Sequence, residues 1–96
     1  GILNHVNEIA PYLKDKLNVL KDKFPDKIKD VRGKGLMMGM ELYGPAGDVV
    51  SKLLKKGVIL ISAGTNIIRF VPPLVVEKEH IDVMCEKLEE VFSTNE

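Results

Sequence analysis

An α+β fold is predicted for this 96-residue chain by three features. Apolar residues recur every three or four positions at both ends and once in the middle. Short alternating or β-branched stretches lie between those segments, and glycine or proline punctuates the junctions. The order is helix, strand, strand, helix, strand, strand, helix: a small, mainly antiparallel sheet with helices packed on one face. One hydrophobic core suits this length, so residues 1–96 read as a single domain without repeat, low-complexity tract or linker.

Leu3, Val6, Ala10, Leu13, Leu17, Leu20 and Phe24 draw a narrow apolar seam along the first helix. Pro11 falls off that seam but removes a backbone donor and crowds the carbonyl of Asn7, at a cost of about 3 kcal/mol in a helix interior. The spacing therefore predicts either a kink near Asn7 or a regular helix that starts around Pro11. Pro25 ends it, because Phe24 is pushed from helical angles. A coiled coil along the seam is the weaker reading, since its flanks carry little charge pattern.

Residues 28–32 read as a strand, and Arg32-Gly33-Lys34-Gly35 as a kink or bulge. From Leu36 the period is two: Leu36, Met38, Met40 and Leu42 share one face, and Met37, Gly39, Glu41 and Tyr43 the other. Gly39 leaves a gap, as if another segment packed close to the backbone. After Gly44-Pro45, the residues Ala46, Val49, Val50, Leu53 and Leu54 give a short amphipathic helix. Gly57 closes it in a left-handed conformation, with Lys55 and Lys56 at its negative end. Residues 58–61 and 67–71 are expected to form a hairpin around the loop 62–66. The last helix begins near Lys78, with acidic residues at its positive end and Ile81, Met84, Cys85, Leu88 and Val91 as its buried stripe; residues 93–96 fray.

Lysine plus arginine equal aspartate plus glutamate, at 14 each, which argues against a nucleic-acid partner. No apolar stretch approaches the roughly 20 residues that span a bilayer. A single cysteine cannot form an internal disulfide, which suits the reducing cytoplasm. The chain opens on glycine with no signal-peptide pattern and starts a helix almost at once. It therefore reads as excised from something longer.

Arg69 is the most functional-looking residue. It is the one charge in Ile67-Ile68-Arg69-Phe70-Val71, a strand stopped by Pro72-Pro73. A guanidinium drawn partly from water is costly without an anion of matching geometry, and no acidic residue is close in sequence. It offers a planar fork to a carboxylate or phosphate. The bland reading is that its stem lies along Ile67 and Val71 while its head reaches water or pairs with Glu41. The 62–66 loop could line a pocket mouth beside it.

Other candidates are weaker. Arg32-Gly33-Lys34-Gly35 lacks the phosphate-loop pattern and precedes a strand, so it reads as a structural bend. Cys85 lies on an apolar stripe and reads as core. His5 and His80 show no metal-pair spacing and read as solvated. The methionines fill gaps. None of the twelve lysines sits in an apolar context suited to a reactive neutral amine.

Two long stretches carry a family resemblance. One is Val31-Arg32-Gly33-Lys34-Gly35-Leu36-Met37-Met38-Gly39-Met40-Glu41-Leu42. The other is Ser62-Ala63-Gly64-Thr65-Asn66-Ile67-Ile68-Arg69-Phe70-Val71-Pro72-Pro73-Leu74. Both resemble the small C-terminal domain of class III pyridoxal-phosphate aminotransferases, of fold type I. The 62–74 stretch is most similar to the acetylornithine subgroup; relatives acting on ornithine or 4-aminobutyrate tend to lack its loop. The resemblance covers nearly the whole chain.

It implies a cytoplasmic enzyme of arginine biosynthesis that exchanges an amino group between N2-acetylornithine and 2-oxoglutarate. It implies pyridoxal 5'-phosphate in the full-length enzyme, none on this piece, and a homodimer. No catalytic residue is expected here, because the Schiff-base lysine would lie in a large domain upstream of Gly1. Arg69 carries over as the arginine that clamps a substrate carboxylate; Arg32 and Lys34 do not carry over as ligands. Ornithine, succinylornithine and 4-aminobutyrate are alternative substrates within the family. Two readings outside it stay open: a free-standing module whose Arg69 senses an amino acid, and a structural domain docking through the leading helix.

Overall fold

The computed structural model describes residues 2–35, 37–58, 60–70 and 76–93, with the side chains of residues 2–4 outside that description. The elements are α1 (Ile2–Lys23), β1 (Ile28–Lys34), β2 (Met37–Leu42), α2 (Ala46–Lys55), β3 (Ile61–Ala63), β4 (Ile67–Phe70) and α3 (Lys78–Ser93), in the expected order. All pairings in the four-stranded sheet are antiparallel, in the order β1-β2-β4-β3. The α2 crossover thus lets β4 pair with β2, with β3 outside it.

One apolar cluster joins the inner face of the sheet to the helices. Met38, Met40, Leu42, Ile68 and Phe70 meet Leu13, Leu17 and Leu20 of α1, Leu53 of α2 and Ile81, Leu88 and Val91 of α3. On β2 the two-residue period holds: Met38, Met40 and Leu42 are buried, while Met37 and Tyr43 are exposed. Leu36 lies outside the described residues.

Several boundaries differ from expectation for identifiable reasons. The helix α1 neither starts nor stops at Pro11 but runs through it, with the ring exposed. Ile9, absent from the expected seam, is buried, and burial of this segment offsets the lost backbone bond. The register shift in β1 lies between Ile28 and Asp30 and lets Ile28 and Val31 both face inward, while the bend at 32–35 is made by the two glycines, with φ 147° at Gly33 and 57° at Gly35. Gly33 belongs to the strand, and only glycine fits there. Its φ is 147°, and a β-carbon would stand 2.2 Å from the Met37 carbonyl oxygen.

Leu54 is exposed on α2, while Gly57 ends that helix with φ 87°, as expected. Strand β3 covers Ile61–Ala63, not 58–61: Val58 and Leu60 pack against the core before ladder pairing begins. Residue 59 and the 71–75 end of the second hairpin strand, with Pro72-Pro73, lie outside the described residues, as do 94–96. On α3 Met84 is only half-buried, and Phe92 is buried with its ring centroid 5.7 Å from that of Phe24. No helix among the described residues is long and apolar enough to cross a membrane.

Candidate anion site on the outer face of the sheet

Alternation on β4 decides where Arg69 points. Ile68 and Phe70 are buried inward, so Ile67 and Arg69 take the opposite face, and Arg69 is exposed. Its register neighbours are Gly39 on β2 and Ile61 on β3. The gap at Gly39 is not filled by a closely packed segment, contrary to expectation. A β-carbon there would make only ordinary contacts, the nearest at 3.8 Å, with no atom of another element closer. Its consequence is that the strand position directly opposite Arg69 carries no side chain.

The side chains flanking Arg69 on this face are apolar, with Met37 and Ile61 exposed and Ile67 half-buried, while Arg32, Lys34, Asp30 and Glu41 lie farther out on β1 and β2. Among the described residues no carboxylate pairs with Arg69. Glu41, the acid on the same face, is held elsewhere: its Oε1 lies 3.2 Å from Arg32 and its Oε2 3.6 Å from Lys29. The pairing of Arg69 with Glu41 is therefore not formed. A guanidinium flanked by apolar side chains and unpaired with an internal carboxylate can meet an external anion bidentately.

The segment before β4 is fixed by backbone bonds. Ser62 and Ala63 belong to β3, and the turn proper is 64–66. Gly64 takes φ 74°, which glycine adopts without strain. Leu42 N–H donates to the Asn66 carbonyl at 2.7 Å, and Ala46 N–H to that of Thr65 at 2.8 Å. The Asn66 amide donates to the Leu42 carbonyl at 3.2 Å. The loop motif thus joins the end of β2 and the start of α2, and aims β4 as it does so.

Sequence reasoning missed the ties made by the helices. His5 is not simply solvated: its Nε2 is 2.6 Å from the Val76 carbonyl oxygen. His80, exposed, accepts from Glu77 N–H at its Nδ1 at 3.0 Å, a bond that satisfies a free donor at the start of α3. The Tyr12 hydroxyl donates to Asp82, linking α1 to α3. That bond raises the tyrosine's pKa and lowers the aspartate's, and Lys16 at 3.4 Å helps hold Asp82 ionised. Nothing in the apolar spacing signals these contacts.

Cys85 is buried, as expected, and burial pushes its thiol from 9.0 up to about 11. A folded-state value above the ordinary one favours folding below pH 9, and that contribution is lost as pH rises towards 11. Cys85→Ala should therefore lose less stability than the parent between pH 9 and 11, read by urea unfolding at each pH. The thiol should also resist alkylation at neutral pH while the chain stays folded.

Among the described residues neither a cofactor nor a metal finds a fitting set. No polar or charged side chain is buried among the described residues, all twelve lysines are exposed or half-buried, and no group of metal-ligating side chains forms. A cleft of about 380 Å³ lined by Lys27, Tyr43, Asp48, Lys52 and Phe92 does not include Arg69.

The profile of the family Aminotransferase class-III matches residues 1–92. An acetylornithine aminotransferase of Methanocaldococcus jannaschii is 46% identical over 88 residues, which is 92% of this chain and 22% of that protein. One from Aquifex aeolicus is 41% identical over 92 residues, covering 95% of this chain and 23% of its own length. The solved lysine aminotransferase of M. tuberculosis superposes with a TM-score of 0.91 at 30% identity, over 95% of this chain and 21% of that one. The chain thus spans less than a quarter of the length of these three relatives. With its α-β-β-α-β-β-α order and its Arg69 strand, the chain belongs to the class III aminotransferases.

Proposed function

We propose that this chain is the C-terminal small domain of a larger pyridoxal-phosphate-dependent aminotransferase. The whole protein would exchange an amino group between N2-acetylornithine and 2-oxoglutarate. The single observation that carries the reading is Arg69, a permanently charged fork flanked by Met37, Ile61 and Ile67 and paired with no carboxylate among the described residues. 2-Oxoglutarate and the glutamate formed from it keep the same α-carboxylate beside the reacting carbon, so one clamp serves the oxo acid and its amino-acid partner. Its role is to bind and orient, which converts binding energy into a productive geometry. The cofactor, when bound, supplies the electron sink. Since no described residue set fits it, its anchoring is assigned to chain beyond these 96 residues, and this piece alone is inactive.

The acetylornithine assignment draws support from the names of the relatives in M. jannaschii and A. aeolicus and from the loop at 62–66. A lysine donor is the alternative, favoured by the close superposition on the M. tuberculosis lysine enzyme. Assays of the complete protein with 2-oxoglutarate and either N2-acetylornithine, ornithine, lysine or 4-aminobutyrate separate them. The expected result is the highest kcat/KM for N2-acetylornithine; a higher value for lysine transfers the assignment. Calorimetry of the isolated chain with glutamate should show no binding, and a clear heat of binding would favour a free-standing amino-acid sensor.

A further inference from the structure

We propose that Arg32 is a positioning residue for the anion site: with Lys29 it holds Glu41 away from Arg69, so that the fork on β4 stays open. The inference rests on the reading of Arg69 as a carboxylate clamp.

The register makes the competition concrete. Arg32, Gly39, Arg69 and Ile61 form one row across the four strands, and Asp30, Glu41, Ile67 and Ala63 form the next. Glu41 and Arg69 are therefore diagonal neighbours on adjacent strands, a separation of roughly 7–8 Å that long side chains can bridge. Gly39, directly opposite Arg69, puts no side chain in that path. Glu41 is the one acid of this face within such reach among the described residues.

In the structure both oxygens of Glu41 are taken. Arg32 Nη2 meets Oε1 at 3.2 Å, Lys29 stands 3.6 Å from Oε2, and the Asn66 amide lies 3.5 Å from Oε2. Arg32 also donates to Asp30 at 3.1 Å. It therefore bridges two carboxylates that face each other across β1 and β2, a like-charge pair that is unfavourable without a cation between. Arg32 is itself exposed, so its loss should leave the core untouched. Without it, Lys29 and the Asn66 amide still hold Oε2, but Oε1 is released to turn to the next cation on the face. A tethered carboxylate acts at a high effective concentration, so it competes with an external one.

The test is steady-state kinetics on the complete protein with 2-oxoglutarate varied. Arg32→Ala should raise KM about fivefold with kcat little changed, the scale of an exposed ion pair. Arg32→Ala combined with Glu41→Gln should return KM to near the parent value, which a general loss of structure or of positive field would not do. Lys34→Ala removes the same charge from the same face of β1 and should leave KM unchanged. An unchanged KM in Arg32→Ala, no recovery in the double variant, or an equal rise in Lys34→Ala overturns the proposal. Arg69→Ala separates the two levels. If it has no effect the clamp reading itself falls, whereas a large effect beside a flat Arg32→Ala removes only the role of Arg32.

Discussion

Arg69→Ala in the complete enzyme should lower kcat/KM for 2-oxoglutarate by about 10²–10³-fold, because two charge-assisted bonds of roughly 1.5–3 kcal/mol each are lost and part is regained from water. Arg69→Lys should recover only part of this, since an ammonium keeps the charge but not the planar fork. Thermal stability should barely change in either variant. Arg69 is exposed and has no carboxylate partner among the described residues, so folding draws little on its charge. That separation of activity from stability is the signature of a binding group. A side chain that merely covered Ile67 and Ile61 would show the reverse, with a lower melting temperature and unaltered kinetics for both substrates. Unaltered kinetics would withdraw the assignment.

The direction of Arg69 is legible from its own strand, whereas its neighbours are not. Apolar residues at 68 and 70 demand an inward face, and parity then sends residue 69 outward. Which residue stands opposite is a matter of register, set by pairing with β2 some thirty positions away. Hence Gly39 reads in the sequence as a packing gap, and Glu41 as a partner that Arg32 in fact holds. Strand β3 shows the same limit. Residues 58–61 have the β-branched composition of a strand, yet Val58 and Leu60 only pack against the core, and the ladder uses Ile61–Ala63. Ser62 and Ala63 carry no β signal; their place is dictated by Ile67 and Ile68 across the hairpin. Pro11 misleads in the other direction. A local penalty predicts a kink near Asn7 or a helix that starts around Pro11, and the burial of Ile9 and Leu13 on either side overrides the later start.

Phe70→Ala should destabilise the isolated chain by about 3–5 kcal/mol, through lost burial and an unfilled cavity. Phe70 is among the largest fully buried side chains, lies opposite Met38, and stands on a strand paired on both sides. Domains of this size hold only about 5–15 kcal/mol in total, so the variant sits near the edge of folding. For such a chain each kcal/mol is worth about 4–8 °C, which places the expected fall in melting temperature at roughly 15–30 °C. Phe70→Leu should recover most of the loss, because it keeps an inward apolar anchor. Ile68 and Phe70 are also what fixes the parity of β4, and a slip by one residue would turn Arg69 into the core. The burial of Ile68 and Phe70 holds the register, and burying that guanidinium unpaired would add to the cost of such a slip. A loss below about 1 kcal/mol in Phe70→Ala, measured by urea unfolding, would mean that β4 is not held by its inner face.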